Sequence, residues 1–480
     1  MKRRDLLKFG AVAGGAFVAG CDRGWNLLAR QMESRPERVA APSEASIDLE
    51  GHLLNRLAYG ARPGDREEVK ALGAEAWIEK QLAPETIDDA ACDLRARRFE
   101  SLHASAGDIF EFKRSVVEAE LLRATILRAV TSRRQLLEVM TGFWTDHFNI
   151  SVGKGDCAWF KTVDDREIVR KHALGNFAAM VRASALSPAM LVYLDGATNR
   201  KADGREKPNE NYARELLELH TLGVHGGYTQ KDVMEAARCL TGWSVKGGWN
   251  RGKVVFDRDA HDDGAKAVLG TVIPAGQGER DLDVLLEAVV RHPATAKHVA
   301  WKLCRRFIAD EPPAGAVERV AAALRASNFE IKPALRALFG SREFRAARGT
   351  RLKRPFHFVV SALRAIDADT DGGQAIQNRL HRMGQAPFQY PTPDGYPEEP
   401  TPWLGTLLWR WNFALELASN RLPGTQAEMK ELSGRFNDRP ALAAHLLGRA
   451  ATDEELGLVR DVAGEQAVAL LLASPSFQRF

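Results

Sequence analysis

The sequence predicts an all-α protein: one large multi-helical domain of two lobes with a small β-hairpin insertion. Three observations carry this reading. Apolar residues recur at helical spacing in segment after segment along the chain. Several of these segments begin or end on readable caps, such as Asn209 after Pro208, Thr229, and Gly223. The strand-like runs are few and short, at Lys253-Val254-Val255-Phe256 and Ala267-Val268-Leu269-Gly270.

Taken in order, the chain opens on Arg3-Arg4-Asp5-Leu6-Leu7-Lys8, followed by the apolar run Phe9 to Gly20 and then Cys21. A twin-arginine pair before a short Gly/Ala-rich apolar segment reads as a Tat export signal over residues 1–21. The run is too short to span a bilayer, which takes about 20 apolar residues. Val18-Ala19-Gly20-Cys21 resembles a lipoprotein cleavage box, so Cys21 is expected to carry a lipid that tethers the mature protein to the periplasmic face of the inner membrane. Asp22 behind it resembles a retention signal for that membrane. Residues 22–45 mix Arg, Glu, Ser, Pro and Ala without a period and are expected to form a flexible tether.

The helical domain is expected over 46–480, with lobes at about 46–245 and 280–480. Helical periodicity predicts helices over 65–81, 110–130, 134–148, 166–184, 209–222, 230–241 and 282–291. A single hairpin is expected near 252–271, around the turn-rich Asp259-Ala260-His261-Asp262-Asp263-Gly264. Helices then resume over 294–308, 314–327, 331–339, 355–366 and 406–419, with a Pro/Gly-rich loop from Met383 to Pro402. No fixed-period repeat is visible.

Composition excludes some classes. The 480 residues carry a formal charge of +4, most of it in residues 1–20, so the mature chain is nearly neutral and nucleic acid is not an expected partner. Beyond Cys21, the cysteines Cys92, Cys157, Cys239 and Cys304 are far apart and lack paired C-x-x-C spacing, so they read as buried thiols; a disulfide among them stays open. No H-E-x-x-H, G-x-S-x-G, P-loop or G-x-G-x-x-G is present.

Two polar strings remain as carriers of chemistry. On a helix, Asn209-Glu210-Asn211-Tyr212-Ala213-Arg214-Glu215-Leu216-Leu217-Glu218 places Glu210, Asn211, Arg214 and Glu218 opposite an apolar face, with Glu215 at the border. The bland alternative is a solvated face held by Glu210–Arg214 and Arg214–Glu218 ion pairs, and His220 falls on the apolar side. The second string, Phe143-Trp144-Thr145-Asp146-His147-Phe148-Asn149, places an imidazole beside a carboxylate at an aromatic helix end. Adjacent helical residues point about 100° apart, so Asp146 and His147 do not easily serve one ligand.

These strings, with His52-Leu53-Leu54-Asn55-Arg56, His261-Asp262, His292-Pro293-Ala294-Thr295-Ala296 and Pro393-Asp394-Gly395-Tyr396, resemble the bacterial exported domain-of-unknown-function family numbered 1800 across nearly the whole mature chain. The resemblance implies an exported, mostly helical protein of unassigned activity. Relatives are often encoded beside exported proteins that resemble sulfatases and phosphatases, which makes such a protein an expected partner. The hallmark strings fall on polar positions, so a network linking the two helices is expected beside the surface reading.

Two functions follow as expectations. The first is a hydrolase-like envelope enzyme with a polar cleft. His147, Glu215, Arg214 and Asp146 would be catalytic, Asn209, Asn211, Glu210 and Trp144 would bind substrate, and a divalent metal would suit His147, Glu215, Glu218, His261 and Asp262. The second is a non-catalytic tethered scaffold or escort, or a glycan-binding protein with exposed tryptophans such as Trp243, Trp249 or Trp403. An enzyme should gather His147, Glu215 and Arg214 around an open cavity. A scaffold should close them into ion pairs and expose an apolar patch.

Overall fold

A computed structural model describes residues 21–202 and 207–480; the twin-arginine run and the residues before Cys21 lie outside the described residues. The described chain is mostly helical, with a few two-stranded antiparallel pairs. Eight of its helices position the side chains of interest: α1 (Cys21–Met32), α2 (Arg114–Thr131), α3 (Gln135–His147), α4 (Asn211–Glu215), α5 (Pro293–Phe307), α6 (Pro355–Ala365), α7 (Leu407–Ala418) and α8 (Gly464–Ala473). None of the described helices is long and apolar enough to cross a membrane.

Most of the core-facing stripes meet in one large apolar cluster that runs from Val39 to Phe477 and takes in residues of both expected lobes, and a second, small cluster gathers Phe99, Leu121, Leu127 and Phe388. The centre of the large cluster holds helix α3, where Leu136, Val139, Met140 and Trp144 are fully buried. A stripe at this spacing, apolar every third or fourth residue, can be satisfied only by neighbours on that side.

Residues 22–45 are not a free tether. They form helix α1 and a strap that lie on the domain, because the polar residues of this segment find fixed partners. Asn26 Nδ2 donates to the Thr370 carbonyl at 3.1 Å, Arg30 to the Asp367 carbonyl at 3.2 Å, and Glu33 pairs with buried Arg95 at 2.7 Å. Further along, the Val39 N–H donates to the Arg435 carbonyl.

The single expected hairpin is two. β1 (Trp243–Val245) pairs with β2 (Val254–Phe256), and β3 (Lys266–Val268) pairs with β4 (Thr271–Ile273). Leu269 and Gly270 both have positive φ, the primed-turn geometry that closes a two-residue hairpin locally, so the second run pairs with its own continuation. Expected helix 65–81 is likewise two, broken at Gly73 with φ 82°. Two of the three expected caps form, since Thr229 makes a capping box with Asp232 and Gly223 has φ 84°, whereas the residue before Asn211–Glu215 is Glu210, without a side-chain cap bond, and Asn209 stands one residue further out. His292 accepts from the Ala294 N–H ahead of Pro293.

Two segments widen into π-helix, Asp165–Arg170 and Leu216–Thr221. Such turns insert an extra residue, which re-aims the side chains beyond it and is frequent at functional sites. The first continues a helix that starts at Cys157, so that expected helix 166–184 is interrupted at 173–176 before a new helix, Phe177–Ala185, and the second continues α4 with His220 buried in the core.

Candidate functional site

Among the described residues, His147, Glu215 and Arg214 are not gathered around one open cavity. His147 is 1 % exposed, packed among Phe143, Trp144, Phe148 and Phe177, and its Nε2 lies 3.1 Å from the carbonyl of His220. Burial, then Lys302, His220 and His298, hold its basicity well below the ordinary histidine range, so it is a neutral core residue. Trp144 is fully buried and donates to the Ala173 carbonyl, which corrects its assignment to substrate binding.

Arg214 instead lies on the surface, bonded to Glu210 at 3.1 Å and Gln230 at 2.9 Å. Glu218 accepts from Tyr228 Oη at 3.0 Å rather than pairing with Arg214. Burial, Glu218 and Asp394 raise the pKa of half-buried Glu215 against the pull of Arg214. Asn209 and Asn211 serve local turns, with the Asn211 N–H on Asn209 Oδ1 and Asn211 Nδ2 on Asp195. The two strings do meet as a structural network, through the His147 bond to the His220 carbonyl and the Phe148–His220 ring contact at 5.0 Å.

The expected metal set is scattered. His261 is buried, with Nδ1 2.9 Å from the Thr241 carbonyl and Nε2 3.1 Å from Asp281, which also holds Lys266 at 2.5 Å. Asp262 is gripped by Arg238 through two bonds of 2.7 and 3.0 Å. Among the described residues, no three His, Cys, Asp or Glu side chains converge to hold a metal ion. Cys92, Cys157, Cys239 and Cys304 are buried free thiols.

Of the expected residues, only Asp146 borders the central cavity, a space of about 60 Å³. It lies between α2, α3, the Asp165–Arg170 turn, α5, α6 and the 383–402 loop. Charged pairs close its walls. Arg170 donates to Glu138 Oε1 at 3.0 Å, makes a second, shorter bond to Glu138 Oε2, and lies 3.2 Å from Asp165. Arg354 bonds Asp146 at 2.9 Å and reaches Glu398 at 3.4 Å. Burial alone would raise the pKa of Glu398, but Arg354, Arg306, Arg351 and Arg305 together bring it down to about 2.

The Met383–Pro402 loop roofs this space. Asn149 Nδ2 donates to the carbonyls of Tyr390 and Thr392, and Tyr396 Oη donates to the Ala386 carbonyl. Gly395, with φ 74°, lies so close to helix α3 that a Cβ would stand 2.1 Å from the Asp146 carbonyl oxygen. That contact explains why Pro393-Asp394-Gly395-Tyr396 needs glycine at its third position. Trp403, expected to be exposed for glycan binding, is buried, whereas Trp249 is fully exposed.

Sequence reasoning missed Glu138, Asp165, Arg170, Arg306, Arg354 and His357. Glu138 gave no signal of its own, because it lies with Thr141 and Thr145 on the face of α3 opposite the apolar stripe, where a sequence pattern reads solvent although the residue is buried. The others come together from distant segments.

The model of a family described as a protein of unknown function, DUF1800, matches residues 52–479. No curated protein and no solved structure matches the chain.

Proposed function

The chain belongs to the DUF1800 family, and from that membership and the geometry we propose that it is an exported, membrane-tethered scaffold that docks a partner protein, rather than a hydrolase. The observation that supports this is an apolar ridge on α7 and the Thr401–Thr406 turn that leads into it. Leu404, Leu408, Trp411 and Leu415 succeed one another at helical spacing and are 55, 62, 50 and 45 % exposed. With Leu470 on the adjoining α8, they bare apolar area on the order of 500 Å², near the upper end of what a monomer leaves uncovered. Charges of both signs border it: Arg379 pairs with Glu416, and Arg382 covers Trp409. An apolar centre carrying a tryptophan inside a mixed polar rim is the anatomy of a protein interface. Of the sequence-nominated polar residues, His147, His261 and Asp262 are engaged in holding separate segments together.

Export by the Tat route, lipidation at Cys21 and a periplasmic location belong to the same proposal, and rest on the sequence before α1. Because α1 lies on the domain, a lipid at Cys21 would hold the body against the inner membrane instead of on a long leash. The occupant of the ridge would be an exported protein, of the sulfatase- or phosphatase-like kind that the family resemblance implies.

A photo-crosslinking residue at position 408, compared with one at exposed Leu458, tests the docking in cells. The expected result is one discrete exported adduct from position 408 alone. Adducts only with lipid, only with a second copy, or equally from both positions would refute it.

A further inference from the structure

The central cavity contains more hydrogen-bond donors than its walls can use. His357 is buried on α6 with neither ring nitrogen bonded, and the Nε of Arg354 also has no partner. Arg306, 5 % exposed, makes one ion pair, to Glu398 at a long 3.7 Å. Nearby acceptors are already engaged: Glu138 by Arg170, Asp146 by Arg354, and Glu398 by Arg351 as well as Arg354. Leaving a buried donor unsatisfied is costly, so the Arg354 Nε–H and the one N–H of His357, beside the weakly paired Arg306, call for an occupant.

The electrostatics set the sign of that occupant. Besides burial, Arg306, Lys353, Arg354 and Arg56 all depress the basicity of His357, which therefore stays neutral and offers one N–H in a field of four cations. Of the carboxylates on the cavity wall, Glu138 and Asp165 share Arg170 and Asp146 pairs with Arg354, which leaves Arg306 only its long contact to Glu398. About 60 Å³ holds a few waters or one tetrahedral anion, and nothing much larger. Asp146 and Arg170, with side chains 20 and 15 % exposed, mark where the space approaches solvent.

We propose that this cavity is a receptor for a small oxyanion of phosphate or sulfate size, bound by Arg306, the Nε–H of Arg354 and the imidazole N–H of His357. The site is independent of the α7 ridge. Planar guanidinium groups suit an oxyanion because their paired donors match its oxygens. An anion alone or the head group of a larger molecule presents the same oxygens, the latter leaving its body outside by Asp146.

Calorimetric titration of the full chain with inorganic phosphate, sulfate and glycerol 3-phosphate, at constant ionic strength in chloride, tests the site. Saturable one-to-one binding is expected, weakened at least about tenfold in Arg306→Gln. His357→Phe keeps the ring volume and removes both nitrogens, so it is expected to remain folded and to weaken binding similarly. Tighter binding of glycerol 3-phosphate than of phosphate supports a head group; the reverse supports the free ion. No saturable heat with any of the three, or binding unchanged in both variants, would overturn the proposal.

Discussion

Replacing Glu138 by glutamine tests whether the ion pairs around the cavity hold the fold. The carboxylate is 6 % exposed and receives two guanidinium bonds from Arg170, whose other side faces Asp165 at 3.2 Å. Removing one partner of a buried pair costs about 3–5 kcal/mol when the other charge is stranded. Here Asp165 still neutralises Arg170, so the loss should be about 2–3 kcal/mol. Arg170→Met is the harsher change, because it takes from both Glu138 and Asp165 the cation bonded to them and leaves only Arg128 nearby, and about 4–5 kcal/mol is expected. Unfolding entropy scales with chain length, which makes 1 kcal/mol worth roughly 1 °C in Tm at this size. Melting followed by circular dichroism should therefore fall by about 2–3 °C for Glu138→Gln and about 4–5 °C for Arg170→Met. A glutamine variant as stable as the parent, or an arginine variant less affected than the glutamine one, would refute this account.

Other outcomes are set by the same structure. His52 and His220 are brought to about 3 and His298 to about 4, with burial the main cause. The unfolded state then binds more protons than the folded one below the free histidine pKa near 6.5, so stability is full above that pH and drains away as pH falls toward 4. At pH 5 unfolding should take up close to three protons from these groups, read as the slope of denaturant stability against pH; a flat profile between pH 6.5 and 4.5 would contradict their burial. Gly395→Ala should strain the positive φ and drive a Cβ into the Asp146 carbonyl, costing at least about 1–2 kcal/mol and raising hydrogen exchange across 383–402. Unchanged exchange there would mean that the loop does not seat on α3.

How far the chain could be read depends on whether the deciding contacts are local. Helices such as Ile331–Phe339 and Pro355–Ala365 were legible because their apolar spacing and flanking residues lie within one segment. The break at Gly73 and the π-helical turns were not, since the period barely changes across one inserted or left-handed residue. The first hairpin was missed for a related reason: β1 is three residues long, and its partner lies across a turn with no short primed signature. Residues 22–45 look unstructured by composition, yet single bonds from Asn26, Arg30 and Glu33 to residues distant in sequence fix their course.

The polar strings pose the opposite problem, because their residue types fit both catalysis and structure, and burial alone separates the two. His147 beside Asp146 looks like a base with its orienting carboxylate. One residue of helical rotation sends the imidazole into an aromatic core and the carboxylate to Arg354 at the cavity wall. What distinguishes the cavity is the mismatch between donors and acceptors. Arg306 comes from the helix that begins at Pro293, His357 from the one that begins at Pro355 and Arg354 from the residue just before it, and the acceptors from α3 and the loop at Glu398. No single stretch of sequence contains that imbalance, which exists only once the segments are packed. A binding site assembled from the excess donors of several helices is therefore invisible to motif reasoning, even where every one of its residues is in plain view.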